Sequence, residues 1–331
     1  MPGPALPLPN GWFRVAYSQE LPSGKVLSLH YFGQELVLFR TADGIPHLFD
    51  AHCPHMGAHL GYGGCVEGTA IRCPFHGWLM DGTGRCIEVP YASKIPPKAH
   101  LRTWPVREVN GMILVYYHAQ AQPPDWEIPP FPEYTSSAWT PFRPVHRWKI
   151  RTHAQEIAEN GIDTGHMPFL HHQQTRSITS DALEVHGPVL IHRMSHVYNI
   201  FWATKWLGGA EVIGPLDITY YGLGCVVNRA RVHAGIELGY FVMFLLTPID
   251  AEYTEVHGVF SMQKVLNRAV TWLLSAKAIR EGGKTIEQDI PIWENKVYRH
   301  DPMLCDGDGP IMQYRRWARQ FYCEPVAGTT T

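Results

Sequence analysis

Short hydrophobic runs separated by turn residues make up the first third of the chain. The runs occupy positions 26–29, 36–39, 47–49, 70–72 and 112–117, and Asp-Gly or Asn-Gly pairs stand among them at 43–44, 81–82 and 110–111. Short apolar runs bounded by such pairs are typical of strands joined by tight turns. We therefore predict a small all-β domain that extends from Trp12 to about His118.

A proline-bearing stretch follows this region. Residues 119–132 contain two Pro-Pro pairs and are too rich in proline for a central strand or a helix interior. We interpret this stretch as the connection between two domains. The predicted boundaries are residues 1–130 for the first domain with its linker and residues 131–331 for the second.

The second half of the chain combines helical and strand patterns. Residues 148–164 have helical spacing, residues 183–262 return to β-rich runs, and residues 264–297 are helical again apart from Gly282-Gly283 and Pro291. The predicted order is helix, sheet, helix. With the all-β first domain, this order gives an α+β fold class.

Composition and charge narrow the possible functions. The chain has 28 Lys+Arg against 30 Asp+Glu, which disfavours a nucleic-acid binder with a broad basic surface. With 45% hydrophobic and 18% charged residues, it is expected to fold around large cores. No apolar run approaches the roughly 20 residues of a membrane-spanning helix, and the first residues lack the features of a signal peptide. We therefore expect no transmembrane segment and a cytoplasmic location.

The cysteines point to a metal centre rather than to disulfides. There are seven, an odd number, and four of them lie within residues 53–86. Cys53-Pro54-His55 and Cys73-Pro74-Phe75-His76 each offer one sulfur and one nitrogen. This spacing favours a two-iron cluster, with Cys53 and Cys73 on one iron and His55 and His76 on the other, which is a Rieske centre. The alternatives are a structural zinc, or four unrelated polar and small residues in a β domain.

Two of the four cysteines within residues 53–86 fall outside the C-x-H and C-x-x-H pattern. We interpret Cys65 and Cys86 as buried small hydrophobic residues rather than as ligands.

A second metal site is indicated between residues 159 and 171. His166 and His171 are five positions apart, and Pro168 between them interrupts a continuous helix, so both rings can converge on one ion. Asp163 precedes His166 by three positions and can orient its ring. The alternatives are ordinary buried or surface histidines, and His172 as a competing ligand.

Together, the two constellations resemble those of Rieske non-haem iron oxygenases. In that family a segment [E/N]-x-x-D-x-x-H-x(4)-H supplies two histidines of a two-His, one-carboxylate iron site. The match places Asn160 near the iron and implies that His166 and His171 are ligands. The run from Gln288 to Lys296 resembles Q-D-x-x-I-W-x-x-K of steroid-acting members, which implies Asp289 as the third ligand. Glu287 and Glu294 are then expected to face solvent or to form helix pairs.

The resemblance is closest to the 3-ketosteroid 9α-hydroxylase and cholesterol 7-desaturase branch. It is carried by residues 8–12, 49–60, 102–108, 110–118 and 304–310. It implies an N-terminal Rieske domain followed by a helix-grip catalytic domain of antiparallel sheet and helices.

The activity implied is that of a terminal oxygenase component. It would use O2, mononuclear Fe(II) and electrons from NAD(P)H, delivered by a ferredoxin or flavin reductase, to hydroxylate, desaturate or demethylate a steroid-like substrate. A ring-shaped homotrimer is also implied, in which Asp163 bridges His166 to His76 across the interface. The alternatives are a non-steroidal terpenoid or aromatic substrate, a pure electron carrier, or a lipid-binding protein whose second domain has kept its cavity but lost the chemistry.

Aromatic and methionine side chains of the second domain are candidates for the wall of an apolar cavity, with ordinary core packing as the simpler interpretation. They are Trp202, Trp206, Tyr240, Phe241, Met243 and Phe244.

Overall fold

The computed structural model describes residues 6–171, 175–198, 212–233 and 237–323. These residues form two compact units, one of residues 10–129 and the other of residues 6–9 and 130–323. Residues 119–129 of the proline-bearing connection belong to the first of these units. Within that unit, the Trp12 indole N–H donates to the Trp126 carbonyl at 2.7 Å, and the Asn110 amide donates to the Pro129 carbonyl at 2.9 Å.

The unit of residues 10–129 consists of three small antiparallel sheets, with strand orders β1-β11-β10, β2-β3-β4-β9 and β5-β6-β7-β8. Asn110 and Gly111 both have positive φ, so they close the β10–β11 hairpin with the twist that two-residue turns require. The strands are β1 Gly11–Tyr17, β2 Val26–Tyr31, β3 Gln34–Arg40, β4 Pro46–Asp50, β5 Cys65–Glu67, β6 Ala70–Arg72, β7 Leu79–Asp81, β8 Cys86–Glu88, β9 Thr103–Trp104, β10 Val106–Val109 and β11 Met112–Tyr117.

Within the described residues, the second unit is a seven-stranded antiparallel sheet with helices. The strand order is β12-β18-β17-β16-β15-β14-β13, so neighbours in sequence from β13 to β18 are also neighbours in the sheet. The strands are β12 Arg143–Ile150, β13 Thr175–His186, β14 Val189–Tyr198, β15 Val212–Tyr221, β16 Cys225–His233, β17 Glu237–Pro248 and β18 Thr254–Met262. The helices are α1 Pro132–Thr135, α2 Ala154–Glu159, α3 Met167–Leu170, α4 Arg268–Asn295 and α5 Ile311–Ala318.

Two boundaries in this unit differ from the prediction. The helix expected to begin at residue 148 is instead the end of β12, because Trp148 to Ile150 pair with β18, and only α2 is helical. Helix α4 also continues through Gly282-Gly283 and Pro291. Gly283 is needed for close packing, since an added Cβ would lie 2.5 Å from His146 Cε1 on β12. None of the described helices is both long and apolar enough to cross a membrane.

Candidate metal centres

Two loops of the first unit have the same backbone geometry. The Cys53 and Cys73 N–H groups each donate to the carbonyl five residues later, at 2.8 Å in both loops. Gly57 and Gly77 return a hydrogen bond to the carbonyl of the cysteine, at 3.0 and 3.1 Å, and both have positive φ. The two cysteines are therefore presented by equivalent tight turns that glycine makes possible.

The four predicted cluster residues lie as two pairs of the same residue type, the two histidines side by side and the two cysteines side by side. His55 Nδ1 lies 3.2 Å from His76 Nδ1, and the Cys53 thiol contacts the Cys73 thiol. Burial raises the pKa of Cys53 to about 11, and Cys73 adds to this effect. Two sulfurs side by side and two imidazole nitrogens side by side fit a [2Fe–2S] cluster with both cysteines on one iron and both histidines on the other.

The surroundings of this centre differ between its sulfur and nitrogen sides. Both thiols are buried in a hydrophobic cluster, while the imidazoles of His55 and His76 are half-buried. Trp78 stacks on His55, with ring centroids 4.5 Å apart, and donates its indole N–H to Tyr91 Oη at 2.9 Å. The imidazole side is thus the accessible side of the centre.

The cysteines outside the pattern behave differently from each other. Cys86 is buried in the same hydrophobic cluster, as expected. Cys65 on β5 is exposed, so its predicted burial is wrong. Strand β5 is a three-residue strand at the edge of its sheet, and such a strand leaves side chains open to solvent.

A second cluster of metal-ligating atoms lies in the second unit. One ligand atom each from His166, His171 and Asp289 lie within 4.8 Å of one another. His166 immediately precedes α3 and His171 immediately follows it, with Pro168 in its first turn, so the two rings approach to a centroid distance of 5.2 Å. Two imidazoles and one carboxylate fit the facial arrangement of non-haem Fe(II) sites. His172 lies outside the described residues.

Asp289 reaches this cluster from the buried face of α4. Its Oδ1 lies 3.2 Å from His171 Nε2, and both side chains are almost completely buried. Gln288 holds the other side of the ring, with Oε1 2.9 Å from His171 Nδ1. Burial opposes protonation, but Asp289 and Gln288 together raise the pKa of His171. Glu287 is exposed, and Glu294 is half-buried with Oε1 accepting from the Arg151 N–H.

Asp163 and Asn160 both contact His166. Asp163 Oδ1 accepts from the backbone N–H groups of Gly165 and His166, which leaves Oδ2 3.4 Å from His166 Nδ1. Burial opposes ionisation, but these contacts lower the pKa of Asp163. Asn160 Nδ2 lies 3.1 Å from His166 Nε2. Asp163 therefore orients the ring through one nitrogen, while Asn160 stands beside the other.

Residues distant in sequence hold the loop that carries Asn160 and Asp163. His192 Nδ1 donates to the Gly161 carbonyl at 3.1 Å, and its Nε2 accepts from Ser180 Oγ at 2.8 Å. Burial lowers the pKa of His192, so the ring is neutral and makes both bonds. An added Cβ on Gly161 would lie 2.5 Å from Tyr220 Oη. Sequence reasoning missed these contacts because nothing near Gly161 in the chain points to β14 or β15.

A buried ion pair anchors α2 just before this loop. Arg315 on α5 donates two hydrogen bonds to the Glu159 carboxylate, both at 2.7 Å. Tyr314 Oη donates to the Gln155 carbonyl at 3.1 Å. No local pattern in the sequence indicates this role for Glu159 or Arg315.

An apolar cavity of about 320 Å³ lies between α2, α4 and the sheet, and the candidate iron ligands His166, His171 and Asp289 line it. On β17, Tyr240 and Phe244 line the cavity, whereas Phe241 and Met243 are fully buried on the opposite face. Alternation along a strand explains this division. The volume lies at the lower end of the roughly 300–1,000 Å³ of small-molecule pockets. Trp202 and Trp206 lie outside the described residues.

Family comparisons agree with both centres. Residues 11–105 match the Rieske [2Fe-2S] domain, and residues 115–322 match the 3-ketosteroid 9alpha-hydroxylase C-terminal domain. The chain belongs to the 3-ketosteroid 9α-hydroxylase family of Rieske oxygenases. Membership confirms the predicted fold class and enzyme class. This Rieske oxygenase is an oxidoreductase that uses a [2Fe–2S] cluster, mononuclear iron, O2 and electrons from a reductase.

Similar proteins include animal and bacterial enzymes. Cholesterol 7-desaturase nvd 1 of Ciona intestinalis is 32% identical over 341 residues, which cover 96% of this Rieske oxygenase and 69% of the relative. The 3-ketosteroid-9-alpha-monooxygenase oxygenase component of Rhodococcus rhodochrous is 30% identical over 335 residues, covering 97% and 84%. Dicamba monooxygenase bound to dicamba shares the fold, with a TM-score of 0.76, 18% identity and coverage of 96% and 98%.

Proposed function

We propose that this chain is the terminal oxygenase component of an enzyme that oxidises a steroid or sterol. The observation that carries the proposal is the apolar cavity lined by His166, His171 and Asp289, which brings an uncharged, hydrophobic ligand to the candidate iron site. The relatives named for cholesterol and 3-ketosteroids support the substrate class. Hydroxylation, desaturation and demethylation are the candidate reactions.

Each metal-ligating group has an assigned role in this proposal. The cluster would be held by Cys53, Cys73, His55 and His76. This role is supported by the contact between the two thiols and by the contact between the two imidazoles. The iron would be held by His166, His171 and Asp289, which line the cavity that would bring the substrate to it. When bound, the two cofactors supply electron storage and O2 activation.

The residues around the candidate iron ligands hold their rings in position. Asp163 orients the His166 ring through Nδ1, and Gln288 orients the His171 ring through Nδ1. These contacts leave the Nε2 atom of each ring directed toward the candidate iron site. Asn160 Nδ2 lies beside His166 Nε2, so Asn160 would contact any group that binds next to that nitrogen.

Assembly and electron supply are part of the proposal. We include a separate reductase that delivers electrons to the half-buried histidine side of the cluster. We also include a homotrimer in which Asp163 links His166 to the partner subunit's His76. A cytoplasmic location stays a prediction from the sequence.

The substrate class is tested by product analysis. Iron-loaded protein, a generic NADH reductase and O2 are incubated separately with cholesterol, a 4-methylsterol and a 3-ketosteroid, and products are identified by mass spectrometry. Gain of one oxygen, loss of two hydrogens or stepwise oxidation of a methyl group is expected with one of them. No product from any of the three, with the cluster visibly reduced, would refute the steroid class and direct the search to terpenoids and aromatic compounds.

The iron site is tested separately by metal analysis. The wild-type protein is expected to hold about three irons per chain, and Asp289→Asn about two, with an unchanged Rieske spectrum. Glu287→Gln is the matched control, because Glu287 is on the same helix and exposed. Equal iron content in wild type and Asp289→Asn would contradict the assignment of Asp289.

A further inference from the structure

Asn228 lies on the sheet wall of the cavity among apolar neighbours. It pairs with Ile218 on β15 and with Val242 on β17, and all three side chains line the cavity. Along β16, the cavity-lining residues on either side are Val226 and Ala230. The four nearest positions on this face of the sheet are therefore apolar, and Asn228 is the polar exception among them.

The Asn228 carboxamide has an unused hydrogen-bonding group. Its Oδ1 is buried and has no hydrogen-bond partner among the residues that the structure describes. Burying such a group weakens folding, and a leucine of similar size would fill the same space without that cost. An asparagine at this position is thus better explained by a ligand in the cavity than by packing.

The rest of the sheet wall favours an uncharged ligand. His196 on β14 also lines the cavity, and burial lowers its pKa to about 4, so the ring is neutral at physiological pH. Among the residues that the structure describes, the acidic groups that line the cavity are Asp163 and Asp289, and both belong to the candidate iron site and lie outside the sheet. A ligand oxygen that meets Asn228 therefore belongs to a neutral group such as a hydroxyl or a ketone.

We propose that Asn228 recognises a hydroxyl group of the substrate and thereby sets the position of the substrate relative to the iron site. This inference rests on the proposed steroid or sterol substrate. The unpartnered atom is Oδ1, which only accepts hydrogen bonds. A hydroxyl group can donate to it, whereas a ketone cannot. Asn228 is a specificity residue that binds the substrate and takes no part in the chemistry.

The test measures binding without turnover. Iron- and cluster-loaded protein is dialysed to equilibrium in the absence of O2 against four steroids: 5α-androstanediol with hydroxyls at carbons 3 and 17, its two mono-alcohols, and the corresponding dione. One of the two mono-alcohols lacks the hydroxyl that Asn228 recognises. Wild type is expected to bind that mono-alcohol about tenfold more weakly than the diol, which corresponds to about 1.4 kcal/mol. Replacing both hydroxyls by ketones is expected to weaken binding by the same factor.

Asn228→Leu is expected to abolish this difference, so that the diol, the mono-alcohols and the dione bind alike. The variant removes an unpartnered polar atom and is expected to fold with an unchanged Rieske spectrum. Met194→Leu is the matched control: it exchanges one apolar lining residue for another of similar size and is expected to keep the tenfold hydroxyl dependence.

Three outcomes would overturn the inference. A hydroxyl dependence that persists in Asn228→Leu would show that another residue recognises the group. A dione that binds wild type as tightly as the diol, and loses affinity in the variant, would show that the amide donates to a ketone. Failure of wild type to bind any of the four steroids would refute the proposed substrate class itself.

Discussion

Gly161 is the position at which one added methyl group is expected to disturb the iron site most directly. In Gly161→Ala, the new Cβ would lie 2.5 Å from Tyr220 Oη and 3.1 Å from Ile218 Cδ1. Tyr220 is fully buried and contacts the rings of Tyr314 and Trp317, so it has little room to move. The chain at Gly161 must therefore shift instead.

The size of the effect follows from overpacking and from the position of the residue. Inserting a methyl group into a packed interior costs about 1–3 kcal/mol. For a unit of this size, that lowers the melting temperature by roughly 2–12 °C. Because Gly161 directly follows Asn160 and accepts the hydrogen bond from His192, we also expect weaker iron binding at His166.

Tyr220→Phe provides the matched background for this experiment. Its hydroxyl has no hydrogen-bond partner among the described residues, so its removal costs little by itself. The double variant Gly161→Ala/Tyr220→Phe is expected to regain at least half of the lost melting temperature and iron content, measured by thermal denaturation and metal analysis. If Gly161→Ala lowers the melting temperature and the iron content equally whether residue 220 is Tyr or Phe, the assigned clash with the Tyr220 hydroxyl is refuted.

Three further predictions concern the cluster, acid stability and the anchor of α2. Cys73→Ser is expected to abolish the Rieske absorption spectrum, and Cys65→Ser, at an exposed cysteine, is expected to leave it unchanged. Burial lowers the pKa of His196 to about 4, so on acidification this imidazole takes up a proton in the unfolded chain before it does so in the folded protein. The free energy of unfolding should therefore fall by about 3 kcal/mol between pH 6.5 and 4. Urea unfolding should show a smaller fall in His196→Gln, and an identical pH profile would contradict the assignment. Arg315→Met leaves the buried Glu159 carboxylate without its partner and should lower the free energy of unfolding by about 3–5 kcal/mol, whereas a loss below about 1 kcal/mol would argue against the anchor.

The candidate cluster residues could be predicted because their spacing is local. A cysteine and a histidine two or three positions apart in one tight turn lie near each other in any fold, so only the approach of the two loops to each other depends on the tertiary structure. The same holds for Asp163, His166 and His171, which share one short segment. Here the residue types and the intervals between them carry most of the chemical information.

Secondary structure was less predictable where distant pairing decides it. Trp148 to Ile150 have helical spacing but form a strand, because β18 offers them a hydrogen-bonding edge. Helix α4 passes through Gly282-Gly283, and its packing against His146 on β12 explains why glycine is needed at position 283. In both cases the partner lies more than 100 residues away in the chain.

By itself, the sequence determined the family and the fold class, and it predicted the two candidate ligand sets and the division into two domains. The candidate cluster residues and the two iron-site histidines stand at short intervals, which chain connectivity places close together. Asp289 lies more than 100 residues from His171 and was implied by the family motif instead. Only the tertiary structure decided which residues hold the iron-site loop, namely His192, Tyr220 and Arg315, and which faces of the strands line the cavity. Such contacts join residues that are distant in the chain and form only when the sheet and helices pack. No local pattern in the sequence therefore predicts them.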